Sequence, residues 1–182
     1  RRDGAQPGDV IAVSGTLGFS YAGLDLLEGG YVDPSARGSE ELGDLAPFID
    51  TYRAPHPPLG SGVAAAAAGA TAMMDLSDGP AADARRMAQA SGLVIEFDRP
   101  ALEAEARLLQ APAQVCQADP VWWVLQGGEE HGMLAAFPPN AALPEGFRVV
   151  GRTRACRDGE TPAAMLGEEV LRGAWDHFDP ES

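Results

Sequence analysis

The chain has 182 residues, enough to bury one sizeable core. Asp and Glu number 27 against 13 Lys and Arg, a net charge of −14 that repels phosphate backbones and argues against nucleic acid as a partner. With 45% hydrophobic and 22% charged residues the balance is that of an ordinary globular domain, and no apolar run reaches the length of a transmembrane helix.

The start lacks the basic, apolar, small-residue succession of an export signal, and an opening Arg1 in place of Met predicts a piece of a longer chain. Residues 9–14 read as a buried strand ending in a turn at Gly15. A helix is predicted over 19–27, closed by Gly29-Gly30. Residues 33–43 are polar and glycine-bearing, which predicts a loop. A short helix is expected over 45–52, stopped by Ala54-Pro55-His56-Pro57-Pro58. The alanine run 64–68 predicts a closely packed helix. A strand over 71–76 then hands over to a helix over 80–90, with Pro80 in the first turn, where its missing N–H costs nothing. Further strands are expected at 93–97, 133–137 and 147–150, and helices at 102–109 and 120–125. Beyond Ala155 the pattern is weak. Strands and helices interleave without strict alternation, which gives a single mixed α/β layered domain over 1–182. Cys116 and Cys156 are the only cysteines, a count that fits reduced thiols of a cytoplasmic protein. His56, His131 and His177 lie far apart, without zinc-type spacing.

Asp75, Ser77 and Asp78, in Met74-Asp75-Leu76-Ser77-Asp78-Gly79-Pro80, carry two carboxylates and a hydroxyl across the strand-to-helix turn. Ligands of open α/β sheets gather at such strand ends, and the following helix offers free N–H groups to phosphate oxygens. Hard carboxylate oxygens suit Mg²⁺ bound to a nucleotide phosphate. The alternative is helix capping without a ligand, which the pattern alone favours. Gln126-Gly127-Gly128-Glu129-Glu130-His131 adds two carboxylates after a double glycine; read alone, it is a surface turn. Val13-Ser14-Gly15-Thr16-Leu17-Gly18 lacks the lysine and spacing of a P-loop. Trp122-Trp123 reads as core for at least one ring. Trp175, near Phe178, is either a packed anchor or a stacking wall, and Arg2 alone reads as part of a frayed terminus.

In this order, Gly8-Asp9, Val13 to Gly18, Asp75-Leu76-Ser77-Asp78-Gly79, Gly127-Gly128-Glu129-Glu130 and Trp175-Asp176-His177-Phe178 resemble the C-terminal half of thiamine-monophosphate kinases, in the aminoimidazole-ribonucleotide-synthetase-related (PurM-like) superfamily. The resemblance implies a three-layer α/β/α fold around a mixed sheet, and transfer of the terminal phosphoryl of ATP to thiamine monophosphate. It implies Asp75 and Asp78 as Mg²⁺ ligands, Ser77 and Arg2 as ATP contacts, and Glu129 and Trp175 as contacts to thiamine, with Trp175 stacking on the pyrimidine. No nucleophilic residue is implied. It also implies a partner N-terminal ATP-binding domain, absent from this chain, through which the parent enzyme forms a homodimer; the chain alone is expected to be inactive. The chain departs from the family pattern at Phe19, Pro80, Gln126, His131, Gly132 and residues 54–58. A PurM-like binding domain with another substrate, or without catalysis, is the alternative.

Overall fold

A computed structural model describes residues 1–173. The elements in chain order are β1 (Val10–Ser14), α1 (Phe19–Glu28), α2 (Gly38–Leu42), α3 (Ala46–Arg53), α4 (Ser61–Ala67), β2 (Ala72–Asp75), α5 (Pro80–Ser91), β3 (Leu93–Phe97), α6 (Arg99–Ala106), α7 (Gln110–Cys116), α8 (Pro120–Gln126), β4 (Met133–Phe137), β5 (Arg148–Ala155), β6 (Ala163–Leu166) and β7 (Glu169–Val170). The strands form one sheet in the order β2-β4-β1-β5-β3-β6-β7. The ladder is antiparallel except between β3 and β6, so the sheet is mixed.

Both faces of the sheet are covered, unequally. The alternation of side chains along a strand sends Ile11 and Val13 of β1, and Leu134 and Ala136 of β4, into the main core. There they meet Leu26 of α1, Ile49 of α3, Met87 of α5, Leu102 of α6 and Trp123 of α8. Each fully buried leucine of this set contributes about 1.5–3 kcal/mol. The intervening residues Ala12, Ala135 and Phe137 face the other side, where α4 covers them through Ala65. Small side chains on both surfaces let α4 lie close. The α/β/α layering is therefore present, with one thick helical layer and one thin one. Phe147 edges onto Phe137 with centroids 5.5 Å apart and extends the thin side.

The expected strands and most helices form, with boundaries shifted by a few residues. Three departures have physical causes. The expected loop over 33–43 contains α2, a single helical turn that buries Leu42. The expected helix 102–109 begins earlier, at Arg99 with Pro100 in its first turn, and tightens into a 3₁₀ turn at Arg107–Leu109 before α7, an additional helix that the local pattern does not announce. After Ala155 the weakly patterned tail supplies β6, whose pairing partner β3 lies far back in the chain, and β7, which pairs with β6. Cys116 and Cys156 are free thiols. No helix among the described residues is long and apolar enough to cross a membrane.

Candidate functional site

Ser14 of β1 and Asp75 of β2 both stand opposite Met133 of β4. The chain leaving β1, the chain leaving β2 and the chain entering β4 therefore emerge side by side at one end of the sheet. Missing side chains let them touch. A Cβ on Gly128 would stand 2.1 Å from the Ser77 carbonyl oxygen, and one on Gly18 would stand 2.8 Å from the Trp123 carbonyl. Two hydrogen bonds fasten the junction: Leu76 N–H donates to the Gly132 carbonyl at 2.8 Å, and Glu129 N–H donates to the Ser77 carbonyl at 3.2 Å.

The junction shapes a cleft of about 290 Å³, walled by Ser20 and Tyr21 of α1, Tyr52 of α3, Ser77, Asp78 and Glu129. Three of the residues singled out from the sequence, Ser77, Asp78 and Glu129, thus meet in one place. Asp75 lies exposed at the end of β2 and does not line this cleft. Arg2 lies elsewhere, in an open groove of about 440 Å³ bordered by Arg86, Gln89 and Ala90 of α5. Trp175 falls outside the described residues. A second cavity of about 440 Å³, beside Trp122 and Leu125 of α8, shares only Gln126 with the cleft.

The helix capping that the pattern favoured is not made: the N-cap of α5 is Gly79, with no side-chain cap, and the turn before it is tied instead by Asp83. Asp83 is fully buried on α5. Its Oδ2 accepts the N–H groups of Ser77 (2.9 Å) and Asp78 (3.1 Å), and its Oδ1 accepts Arg86 Nη1 at 2.7 Å. Burial pushes the Asp83 carboxyl above its usual range, while Arg86 and the two backbone donors pull it back. The signal was present in Pro80-Ala81-Ala82-Asp83-Ala84, where an acid interrupts a small-residue face. With the turn held by Asp83, Asp78 borders the cleft and its side chain pairs with Arg86 Nη2, which lies outside the cleft; both side chains are about one-third exposed, at 31% and 33%. Partial burial works against the Arg86 charge, but its bonds to Asp78 and Asp83 outweigh that.

Glu129 and Glu130, adjacent in sequence, have opposite fates. Glu129 and His131 adopt left-handed backbone conformations, with φ of 72° and 51°. Such conformations cost about 1–3 kcal/mol each in non-glycine residues. They turn Glu130 inward, and its Oε1 accepts Ser20 N–H at 2.9 Å in the first turn of α1. The N-cap of that helix, Gly18, has no side chain to do so. Burial pushes Glu130 up to about 7, against the opposing pull of the helix-start N–H groups. Glu129 stays 77% exposed, 3.9 Å from His131 Nε2.

Other positions that depart from the family pattern serve packing. Phe19 stacks on Phe48 with centroids 4.8 Å apart and joins α1 to α3. Gln126 Nε2 donates to the Arg172 carbonyl at 2.9 Å, which holds the end of α8 to the chain after β7. Trp123 is buried and donates from Nε1 to Asp25 Oδ2 at 2.7 Å, whereas Trp122 is half exposed.

Mg²⁺ takes one or two carboxylates and completes its shell with phosphate oxygens and water. Among the described residues no three His, Cys, Asp or Glu side chains group as a metal cage. Asp78 lines the cleft with its charge already balanced by the Arg86 guanidinium. Asp75 stands outside it, so the cleft offers one of these two carboxylates, within the one or two that Mg²⁺ takes when phosphate and water complete its shell.

Residues 6–160 match the family described as AIR synthase related protein, C-terminal domain. The thiamine-monophosphate kinase of Mycobacterium tuberculosis is 41% identical over 97% of this chain and 49% of its own length. A solved structure of thiamine-monophosphate kinase from Aquifex aeolicus superimposes with a TM-score of 0.73 at 27% identity, covering 94% of this chain and 54% of that one. A structure described as AaThiL complexed with AMPPCP and TMP gives the same TM-score, 0.73, at 28% identity over 97% of this chain and 53% of that one. The chain spans about half the length of the curated relatives it matches.

Proposed function

The chain belongs to the AIR-synthase-related family as its C-terminal domain, and on that premise we propose that it is the C-terminal half of an ATP-dependent thiamine-monophosphate kinase, working with an N-terminal ATP-binding half. One observation carries the reading: Ser77, Asp78 and Glu129, brought from two distant segments, wall a single cleft at the end of the sheet. The binding of AMPPCP and TMP by AaThiL supports ATP and thiamine monophosphate as its ligands.

Phosphoryl transfer needs positioning and charge neutralisation more than a nucleophilic side chain. The acceptor is a phosphate already ionised at neutral pH, so no strong base is required. Asp78 and Asp75 would hold Mg²⁺, which when bound neutralises phosphate charge. Ser77 supplies a hydroxyl to ATP, and Arg2 supplies a guanidinium to its phosphates. Glu129, exposed on the cleft rim, offers a carboxylate to the cationic thiamine end. Tyr21 and Tyr52 keep that part of the cleft aromatic, which suits a flat cationic ring. Trp175 carries the stacking role in this reading. The parent enzyme is a cytoplasmic homodimer, paired through its N-terminal half.

The test is ADP release by the full-length protein with ATP, Mg²⁺ and thiamine monophosphate. Asp78→Asn is expected to abolish turnover while shifting the melting temperature little. Full activity in that variant removes the metal site from the proposal. Calorimetry that finds no thiamine monophosphate binding, with binding of another small phosphate, moves the reading to an altered-substrate relative.

A further inference from the structure

Arg86 ties together two carboxylates of different character. Nη1 donates to Asp83 Oδ1 at 2.7 Å, and Nη2 pairs with Asp78 Oδ2. Asp83 is fully buried and engaged by the Ser77 and Asp78 amides, so it is fixed. Asp78 faces the cleft, with Arg86 as its charge partner. The same arginine borders the groove that contains Arg2. Backbone contacts hold Arg2 there: Ser91 Oγ donates to the Arg2 carbonyl at 3.2 Å, and Met73 N–H donates to the Arg1 carbonyl at 2.8 Å. Arg86 therefore stands between an acidic cleft and a basic groove, anchored on Asp83.

We infer that Arg86 is the resident counter-ion of Asp78, displaced by a divalent cation, and that the released guanidinium then completes with Arg2 a two-arginine groove for a polyphosphate. The inference rests on the kinase reading for the identity of the ligands. A divalent cation and the Nη2 group cannot both occupy Asp78 Oδ2, because like charges at contact distance repel strongly. The bond from Nη1 to Asp83 leaves the rest of the guanidinium free to turn. Two neighbouring guanidinium groups favour an anion between them, and their planar forks match phosphate oxygens. In a chain of net charge −14 such a local basic groove offsets the repulsion that a polyphosphate otherwise meets. Cation and polyphosphate binding become coupled through one side chain. Arg86 acts on the cation through Asp78 and on the polyphosphate directly.

The experiment uses the full-length protein, with Mn²⁺ alone as the cation probe, followed by electron paramagnetic resonance of the free ion. Arg86→Gln is expected to bind Mn²⁺ about three- to tenfold more tightly, since the competing charge is gone. It is expected to bind a non-hydrolysable ATP analogue about tenfold more weakly, with Arg86→Lys recovering part of that loss. A merely structural role predicts the opposite sign for Mn²⁺, because a loosened turn weakens the metal. Unchanged or weaker Mn²⁺ binding by folded Arg86→Gln overturns the inference. If that variant does not fold, nitrogen-15 spectra of the wild-type Arg86 guanidinium decide instead. Its signals are expected to shift on Mg²⁺ titration, and signals indifferent to saturating Mg²⁺ overturn the inference. None of these readouts needs turnover. A protein that binds as described but fails to phosphorylate thiamine monophosphate refutes the kinase reading alone. An active kinase whose Arg86→Gln variant keeps wild-type Mn²⁺ affinity refutes this inference alone.

Discussion

Replacing Glu130 by Gln tests the inward carboxyl at the start of α1. The amide keeps an oxygen to accept Ser20 N–H, now 2.9 Å from Glu130 Oε1, and removes the ionisation. Glu130 is pushed from 4.5 to about 7 in the folded chain, first of all by burial. A raised folded pKa means that the folded state binds the proton more tightly than the unfolded chain. Below pH 4.5 both states are protonated and Glu130 costs nothing. Between pH 4.5 and 7 the unfolded chain ionises while the folded one resists, so stability falls as pH rises. Above about pH 8 both are ionised and the penalty is complete, at roughly 3 kcal/mol if each pKa unit counts 1.36 kcal/mol. Any cost of placing the new amide NH₂ in a buried site is a constant offset, independent of pH. The assay is urea denaturation of wild type and Glu130→Gln at several pH values from 4.5 to 8.5. The stability of the variant relative to wild type is expected to climb by up to about 3 kcal/mol across pH 4.5–7 and then level off. A difference that stays flat, or that falls with pH, refutes the placement of an easily protonated carboxyl at this helix start.

Asp83→Ala leaves the Ser77 and Asp78 amides and part of Arg86 without their acceptor, and is expected to destabilise by about 2–4 kcal/mol; a loss below about 1 kcal/mol in urea denaturation contradicts its role as anchor of the turn. Gly128→Ala pushes a methyl against the Ser77 carbonyl, so it is expected to cost about 1–3 kcal/mol and to weaken ligand binding at the cleft, read by thermal melts with and without nucleotide. Trp123→Phe keeps the buried ring but loses the bond to Asp25, and a loss of about 1 kcal/mol in chemical denaturation is expected.

Several of these features were written in the chain itself. The apolar run 10–13, the proline that opens α5 and the glycine that closes it fixed local structure, because they act over a few neighbouring residues. The Asp-x-Ser-Asp-Gly turn and the Gly-Gly-Glu turn were legible as unusual for the same reason. Sequence also pointed to their family, which the match over residues 6–160 bears out. Weak local patterns mislead where distant contacts decide: β6 exists because β3 offers it an edge, and α2 because Leu42 has a core to enter.

Tertiary structure alone sorted the acids. Spacing could not tell that Asp83 ties the turn from within and leaves Asp78 at the cleft, or that Glu130 turns inward while Glu129 turns out. Nor could it separate Arg2 from Asp78 into two recesses with Arg86 between them. Local sequence specifies turns and helix ends through short-range sterics and hydrogen bonding. Which of several like charges is buried, paired or free depends on the low-dielectric surroundings assembled from segments far apart in the chain, and those exist only once it has folded.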